Sequence, residues 1–294
     1  MYYFCIYINR KMKQITDIHE LRSLQMGILD HVHQFCMEHG LRYSLSSGTL
    51  IGAVRHKGYI PWDDDIDIYM PREDYEKFLQ TYHDETGTYM LLAPDSVGKS
   101  LLSEGFREAT PSLSGRAGGE APYYYTFAKV IDTRTRMVET ETVGYEIGVY
   151  IDVFPVDYVT DDLKERQRVF ARKHLLYKIR RCKISKTNPL HSRLAYWCYK
   201  LLPVSVSMLN RWIQQLIVRR EPTNTLCHMT EAGPSIKGCF PAKDMESYID
   251  LPFEDRVYKA MAGYDDHLCR TYGDYMQLPP EDQRVTHQFK AYWL

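Results

Sequence analysis

The chain has 294 residues, enough for one large domain or two smaller ones with a substantial core. Hydrophobic residues make up 44% of it and charged residues 26%, as in ordinary soluble globular proteins. The formal net charge of −1 argues against a polyanion-binding protein, so no nucleic-acid partner is expected.

The seven cysteines are widely spaced and form no CxxC pair. This pattern argues against a zinc ribbon or a thioredoxin-type motif and favours reduced thiols in the cytosol. The apolar start, residues 1–8, is shorter than a signal-peptide core, and no later stretch approaches the roughly 20 uncharged apolar residues of a membrane-spanning helix. The sequence therefore predicts a cytoplasmic protein.

The first predicted element is a helix over residues 16–39, where apolar side chains recur at helical spacing. Asp17 is a candidate cap for its start, and Gly40 for its end. A strand is expected over residues 41–46, where apolar and polar residues alternate. The apolar helix positions are Leu21, Leu24, Ile28, Val32 and Phe35.

The following segment is predicted to alternate short elements and breaks. Residues 46–49 form a small-residue turn, and residues 50–56 are expected to form a short helix that leaves it. An alternating strand is expected over residues 65–70, followed by a helix over residues 72–82.

The second half of the chain is predicted to be strands followed by a helical region. Residues 94–122 carry many Gly, Ser and Pro with little periodicity and are expected to form a long loop or lid. Strands are expected over residues 123–132 and 149–154. Residues 162–220 are helical and basic, and Pro189 and Pro203 are expected to divide them into three helices.

The sharpest chemical feature is the run WDDDIDI, residues 62–68. Its four carboxylates repel one another in a folded protein unless cations neutralise them. On a strand, Asp65 and Asp67 point to one face while the intervening isoleucines point into the core. Such a pair can hold Mg²⁺ or Mn²⁺, which prefer oxygen ligands. Taken alone, a D-x-D pattern favours a solvated acidic turn, and Asp63 and Asp64 are expected to be turn residues.

A second feature lies upstream, where Ser47, Gly48 and Thr49 join a strand to a short helix. Glycine allows close approach of a ligand, the helix start offers free amides to an anion, and the Thr49 hydroxyl can add a hydrogen bond. These three residues are therefore candidate substrate-binding residues, although an ordinary tight turn is the commoner explanation.

The third feature is Asp152, which interrupts an apolar strand. A buried aspartate needs a partner, and a metal ion, a helix cap or a salt bridge would each serve. A third carboxylate from a neighbouring strand would complete a phosphoryl-transfer metal site with Asp65 and Asp67.

Together these parts resemble the nucleotidyltransferase superfamily and, more closely, the LicD family, the phosphorylcholine transferase relatives. The run GTLIGAVRHKGYIPWDDDID, residues 48–67, resembles the signature of that family. FAKV at 127–130, IDVFP at 151–155, YGDYM at 272–276, LPP at 278–280 and residues 284–293 agree with its later parts. The resemblance spans about residues 15–293.

The resemblance implies an α+β fold with a nucleotidyltransferase-like small mixed sheet flanked by helices and an added helical, partly basic region. The expected division is an N-terminal extension over 1–14, a catalytic core over 15–160, and a helical region with a C-terminal segment packed on the core over 161–294. The Gly/Ser-rich segment 98–120 resembles an insertion relative to the family pattern.

The resemblance also implies metal-dependent transfer of phosphocholine, or a related phospho-alcohol, from a CDP-linked donor, releasing CMP. The acceptor is expected to be a sugar or polyol hydroxyl of a cell-surface glycan or teichoic-acid precursor. Asp65, Asp67 and Asp152 match the metal-binding acids of the family and are the expected catalytic residues, with Mg²⁺ or Mn²⁺ as cofactor. Gly48 and Thr49 take the place of the Gly-Ser turn of the superfamily, although the gap to Asp65 is longer than in many nucleotidyltransferases.

Other side chains are candidates for substrate binding. Arg55, Lys57 and Lys129 are the basic groups best placed to hold phosphate, with a surface charge as the alternative for each. His287 is a candidate acid or base, although a structural histidine is commoner. A choline-bearing donor would need an aromatic cage, and the available aromatic residues are Trp62, Tyr123, Tyr124, Tyr125, Tyr292 and Trp293.

The basic stretch 164–186 is either a solvated face or a contact with the inner membrane surface, where lipid-linked glycan acceptors lie. Three other functions share parts of the pattern: a nucleotidyltransferase that adds an NMP unit from an NTP, a glycosyltransferase that uses D-x-D alone, and a non-catalytic nucleotide-binding protein. The Gly-Thr turn and the third aspartate argue against the glycosyltransferase, and the intact acids argue against the non-catalytic protein.

Overall fold

The computed structural model describes residues 12–94, 114–115, 119–120, 123, 125–138, 146–185, 187–231, 238–284, 286 and 290–294. The predictions for His287, Tyr124 and most of the segment 98–120 fall outside these residues. The described residues form seven helices and fifteen strands, apart from short 3-10 turns. The predicted mixed α+β class is therefore confirmed, while the likeness to a nucleotidyltransferase fold stays a prediction.

The first helix follows its prediction closely. After β1 (Lys13–Ile15), α1 spans Ile18–His39, and the Asp17 carboxylate accepts a hydrogen bond from the His19 amide at 2.9 Å. Gly40 ends the helix in the left-handed region at φ 63°, where glycine has no steric penalty. All five apolar positions expected on one side are buried, so the helical periodicity identified the core face correctly.

The elements that follow differ from their predicted bounds. They are β2 (Ser44–Leu45), α2 (Ser47–Arg55), β3 (Asp67–Pro71) and α3 (Arg72–Thr81). Because Ser46 with its extended backbone is the N-cap, α2 begins at Ser47 rather than at residue 50. Pairing with the neighbouring strand begins at Asp67, so β3 begins two residues after the predicted start.

The other elements complete the strands and the helical region. The strand predicted over 123–132 is shorter than expected, and the one predicted over 149–154 is longer. Pro189 and Pro203 lie between consecutive helices, so the division into three helices is confirmed. The strands are β4 (Tyr89–Leu92), β5 (Ser114–Gly115), β6 (Gly119–Glu120), β7 (Ala128–Asp132), β8 (Thr135–Val138), β9 (Glu146–Ile147), β10 (Tyr150–Val159), β11 (Thr225–His228), β12 (Cys239–Pro241), β13 (Tyr248–Phe253), β14 (Arg256–Met261) and β15 (Lys290–Trp293), and the helices are α4 (Leu163–Ile184), α5 (Arg193–Leu201), α6 (Val206–Ile217) and α7 (Tyr264–Tyr272).

The central sheet has seven strands arranged around β10. One edge of β10 pairs with β3 in parallel, and β2 follows β3. The other edge pairs antiparallel, first with β7 and then with β11, which continue into β4 and β12 respectively. Strands from both sides of position 160, the expected domain boundary, thus share one sheet.

Helices α1 and α3 pack on this sheet, and a buried ion pair joins α3 to β10. Arg72, the first residue of α3, places Nε 2.7 Å and Nη2 2.6 Å from the two carboxylate oxygens of Asp157. The Asp157 side chain is fully buried. A bidentate arginine–carboxylate pair in this setting fixes the orientation of the helix on the strand.

Two smaller sheets flank the core. An antiparallel sheet in the order β1-β15-β8-β9 joins the N-terminal and C-terminal ends of the described chain. The β13–β14 hairpin contacts α2 and β2, where the Met261 amide donates to Ser44 Oγ at 2.9 Å. The Glu254 amide donates to the Lys57 carbonyl at 2.7 Å, which ties the hairpin to the loop after α2.

Helices α4, α5 and α6 form the added basic helical region. Ile213 and Ile217 of α6 belong to one buried cluster with Phe170 and Tyr177 of α4. No helix within the described ranges is long and apolar enough to cross a membrane.

Candidate active site

Three charged side chains lie in register across the central sheet. Asp67 on β3 is the parallel partner of Asp152 on β10, and Asp152 is the antiparallel partner of Lys129 on β7. Register partners on adjacent strands project to the same face. Lys129 Nζ lies 2.5 Å from Asp152 Oδ1, and the exposed fractions of the two side chains are 1% and 13%. Of the partners considered for Asp152, the salt bridge is thus present.

Three aromatic rings also lie close to the Lys129 ammonium. The distances from Nζ to the ring centroids are 3.4 Å for Tyr150, 4.3 Å for Tyr125 and 5.2 Å for Phe127. Each ring face is an electron-rich surface that attracts a cation. Tyr125, a candidate for a choline cage, therefore contacts a lysine of the protein itself.

The other cage candidates divide into separate groups. Tyr123 packs beside Tyr125 with ring centroids 5.6 Å apart. Trp62 lies under the Arg284 guanidinium, 4.9 Å from the ring centroid. Trp293 Nε1 donates to Glu20 at 2.9 Å on the smaller sheet, where Tyr292 also lies. The predicted choline cage thus stays a prediction without support from these contacts.

Asp65 lies two residues before β3, so its placement on that strand was wrong. The chain is nevertheless extended here, because the Asp152 amide donates to the Ile66 carbonyl at 2.8 Å. Ile66 and Ile68 are fully buried. The alternation of acids and isoleucines therefore places Asp65 and Asp67 on the side away from the isoleucine core, as the pattern predicted.

The electrostatics of Asp67 reflect this crowding. Burial is the largest cause that raises the pKa of Asp67 well above its usual value, followed by the charges of Asp65 and Asp152. The carboxylates of Glu231 and Asp63 act in the same direction. This part of the protein therefore favours binding of positive charge.

Glu231 is a site residue that sequence reasoning missed. It follows β11, which runs antiparallel to β10, so the chain returns towards the level of Asp152. Burial, then Asp152, raise the pKa of Glu231 to about 7, while Lys129 lowers it. The local sequence around position 231 contains no motif that would have indicated this proximity, because it arises from strand pairing.

The small-residue turn is hydrogen-bonded directly to the acidic strand. The Asp67 amide donates to Thr49 Oγ1 at 2.9 Å, and the Ser46 amide donates to the Asp67 carbonyl at 3.0 Å. A Cβ atom on Gly48 would lie 2.5 Å from Asp63 Oδ2, closer than side-chain atoms normally approach. A side chain at position 48 would therefore displace the Asp63 carboxylate, and Thr49 positions the backbone of Asp67.

Ser47 begins α2 at φ 49°, an unusual backbone conformation for a residue with a side chain. Its hydroxyl contacts the phenols of Tyr69 and Tyr272. Tyr272 lies in the YGDYM run, whose match to the family pattern was noted without a role for this residue.

The three basic residues predicted to bind phosphate, Arg55, Lys57 and Lys129, have different contacts in the structure. Of the three, Lys129 contacts Asp152, one of the predicted metal ligands. Arg55 Nη1 donates to the carbonyls of Tyr275 and Gln277 at 2.6 and 3.3 Å, and Lys57 Nζ donates to the Val54 carbonyl at 3.1 Å. Arg55 and Lys57 thus donate hydrogen bonds to backbone carbonyls in this structure, and their role in phosphate binding stays a prediction.

The chemistry of the donor set fits a divalent cation, although no complete ligand sphere is in place. Among the described residues, no three His, Cys, Asp or Glu side chains are grouped so that they could hold a metal ion. Asp65, Asp67 and Asp152 offer only oxygen donors, which suits Mg²⁺ or Mn²⁺. The raised pKa of Asp67 shows that an added positive charge there would be favourable.

Comparison with known proteins gives a family match and several similar sequences. The family described as "LicD/FKTN/FKRP, nucleotidyltransferase domain" matches residues 40–100. Lipopolysaccharide cholinephosphotransferase LicD of Haemophilus influenzae is 31% identical over 294 residues, which cover 96% of this chain and 100% of that protein. An uncharacterized protein of Rickettsia typhi is 41% identical over 64 residues, covering 21% of each chain. The family match includes the acidic strand and the turn before it, and the Haemophilus match covers 96% of this chain and the whole of that protein, so the chain belongs to the LicD family.

Proposed function

We propose that this protein is a LicD-type phosphotransferase that moves phosphocholine, or a related phospho-alcohol, from a CDP-linked donor to a hydroxyl of a cell-surface glycan. The observation that carries the proposal is the register of Asp67, Asp152 and Lys129 on three adjacent strands. Two acidic side chains and one lysine on the same face of the sheet, beside Asp65, form a surface suited to a cation and a diphosphate. The name of the full-length Haemophilus relative supports the group that is transferred.

Asp65, Asp67 and Asp152 would hold the divalent cation in this reaction. When bound, the cation would neutralise the diphosphate and stabilise the leaving CMP. Lys129 supplies a fixed positive charge on the same face, and its position over Tyr150 keeps that charge in place. Thr49 and Ser46 hold the backbone of Asp67, so that its carboxylate keeps one orientation.

The chemical step is an in-line displacement at the phosphorus that carries the alcohol. The oxygen of the acceptor hydroxyl forms a bond to this phosphorus, and the bond from phosphorus to the bridging oxygen breaks. CMP leaves with the electron pair. The proton of the hydroxyl passes to a carboxylate at the site, for which Asp152 and Glu231 are the two candidates.

CMP release from CDP-choline, with lipopolysaccharide as acceptor and with Mg²⁺ or Mn²⁺, tests the proposal. Asp65→Asn and Asp67→Asn should each abolish transfer while the protein stays folded. Asp255→Asn is the matched control, since the Asp255 side chain is 76% exposed. Activity of Asp67→Asn equal to the original protein would refute the role of the acids. CDP-ethanolamine and CDP-linked polyols, used in parallel, identify the head group.

A second candidate function is nucleotidyl transfer from an NTP, which the description of the matching family domain favours. The two reactions have different products. Nucleotidyl transfer releases pyrophosphate and leaves an NMP unit on the acceptor, whereas phosphocholine transfer releases CMP. Product analysis with CTP and CDP-choline as separate donors therefore decides between them.

A further inference from the structure

The face of α5 that points to solvent is its apolar one. Leu194, Trp197 and Leu201, at positions i, i+3 and i+7, lie on one side of a helix. Their exposed fractions are 76%, 55% and 73%. Tyr196, on the opposite side, is buried, and its hydroxyl accepts a hydrogen bond from Lys200 at 2.5 Å. A helix of a globular domain normally buries its apolar stripe, and α5 does the reverse.

Further exposed apolar side chains follow α5 along the chain. Leu202 follows the helix, and Met208 and Trp212 lie one turn apart on α6, with exposed fractions of 38%, 40% and 40%. Other residues of α6, including Ile213, hold that helix against α4. We define the α5–α6 apolar surface as Leu194, Trp197, Leu201, Leu202, Met208 and Trp212.

This surface is held in place by α4. Lys183 Nζ donates to the backbone carbonyls of Lys200 and Leu202, where α5 ends. The Ser192 and Ser205 hydroxyls accept hydrogen bonds from first-turn amides of α5 and α6. The apolar side chains are therefore presented by capped, anchored helices.

The chain segment that carries this surface has charged residues of one sign. Residues 166–220 contain 14 Lys and Arg residues and no Asp or Glu, although the whole chain has a net charge of −1. Several of these basic side chains are exposed: Arg168, Arg172, Lys178, Arg181, Arg193 and Arg211. Arg193 directly precedes Leu194, and Arg211 directly precedes Trp212.

We propose that the α5–α6 apolar surface docks into the headgroup region of an anionic lipid bilayer. Tryptophan and leucine enter the interface while lysine and arginine bind anionic headgroups, as in helices that lie flat on membranes. A nine-residue helix is roughly 14 Å long, so α5 lies along the interface and does not span it. A second copy of the chain would bring like charges together, which disfavours self-association through this face.

Co-sedimentation of the full chain with lipid vesicles tests the proposal. Vesicles of phosphatidylcholine mixed with phosphatidylglycerol should bind the protein, and vesicles of phosphatidylcholine alone should bind it far less. The triple variant Leu194→Gln, Trp197→Gln, Leu201→Gln should weaken binding roughly tenfold or more, because apolar burial is lost. The variant Met37→Gln, Val257→Gln is the matched control, since both side chains are exposed outside the surface.

A charge variant tests the electrostatic part. Replacing Lys178, Arg181 and Arg211 with Gln should weaken binding to the anionic vesicles by about fivefold per side chain and reduce its salt dependence. Because all replaced residues are exposed, the melting temperature should stay unchanged in every variant.

Three results would overturn the proposal: equal binding to both kinds of vesicle, unchanged binding of the triple variant, or no vesicle binding by the original protein. A dimer in sedimentation velocity that the triple variant converts to a monomer would assign the surface to self-association instead. None of these measurements depends on phosphocholine transfer, so failure of the proposed function leaves this test intact.

Discussion

Replacing Glu231 with Gln should stabilise the ligand-free protein at high pH. The side chain keeps its shape and loses its charge. In the folded protein, burial and the neighbouring Asp152 raise the pKa of Glu231 from 4.5 to about 7. That difference of about 2.5 units corresponds to roughly 3 kcal/mol, an upper limit because Glu231 is only half-buried.

The sign follows from proton binding. Between pH 4.5 and about 7, the folded state keeps the proton on Glu231 and the unfolded state loses it. The free energy of unfolding of the original protein should therefore fall through this range, and the contribution should be constant above it. The Glu231→Gln variant lacks this contribution. Its free energy of unfolding, minus that of the original protein, should therefore rise by up to about 3 kcal/mol from acidic to alkaline pH.

Urea denaturation at a series of pH values, with a chelator present, measures the difference between the two proteins. Glu221→Gln is the matched control, since the Glu221 side chain is 84% exposed. A difference for Glu231→Gln that stays constant with pH, or that falls as pH rises, would refute the placement of Glu231 among the acids.

Two further substitutions test the core that supports the site. Arg72→Met should reduce the free energy of unfolding by about 3–5 kcal/mol, because the carboxylate of Asp157 would be left buried without its arginine; a loss below about 1 kcal/mol in urea denaturation would contradict this. Gly52→Ala should cost about 1–3 kcal/mol, because the new Cβ would lie 2.4 Å from the Gly58 carbonyl oxygen. Gly238→Ala is its control, since no described atom lies within 4 Å of a Cβ there, and equal stability of the two alanine variants would contradict the crowding.

Local patterns predicted the parts of this protein that depend on neighbouring residues. The cap at Asp17, the stop at Gly40 and the alternation around Asp67 are properties of a few adjacent positions, and each is present in the structure. The bounds of β2 and β3 were less accurate, because a strand extends only as far as its partner pairs with it. The partners of β3 come from positions far along the chain.

The same distinction applies to the candidate site. The sequence identified Asp67, Asp152 and Lys129 separately, but their common register results from pairing among three strands. Glu231 reaches them through β11 and has no local motif. Gly48 lies against the carboxylate of Asp63, a contact that the sequence did not indicate, and its predicted role in binding phosphate stays a prediction.

Lys129, which lies against the rings of Tyr150 and Tyr125, is also the charge partner of Asp152. Since Lys129 already balances Asp152, β10 has a counter-ion supplied by the protein at that position. The ion pair therefore links β7 and β10 in addition to the backbone pairing of the two strands. At Asp67, burial and the neighbouring carboxylates raise the pKa of the side chain, so added positive charge is most favourable there.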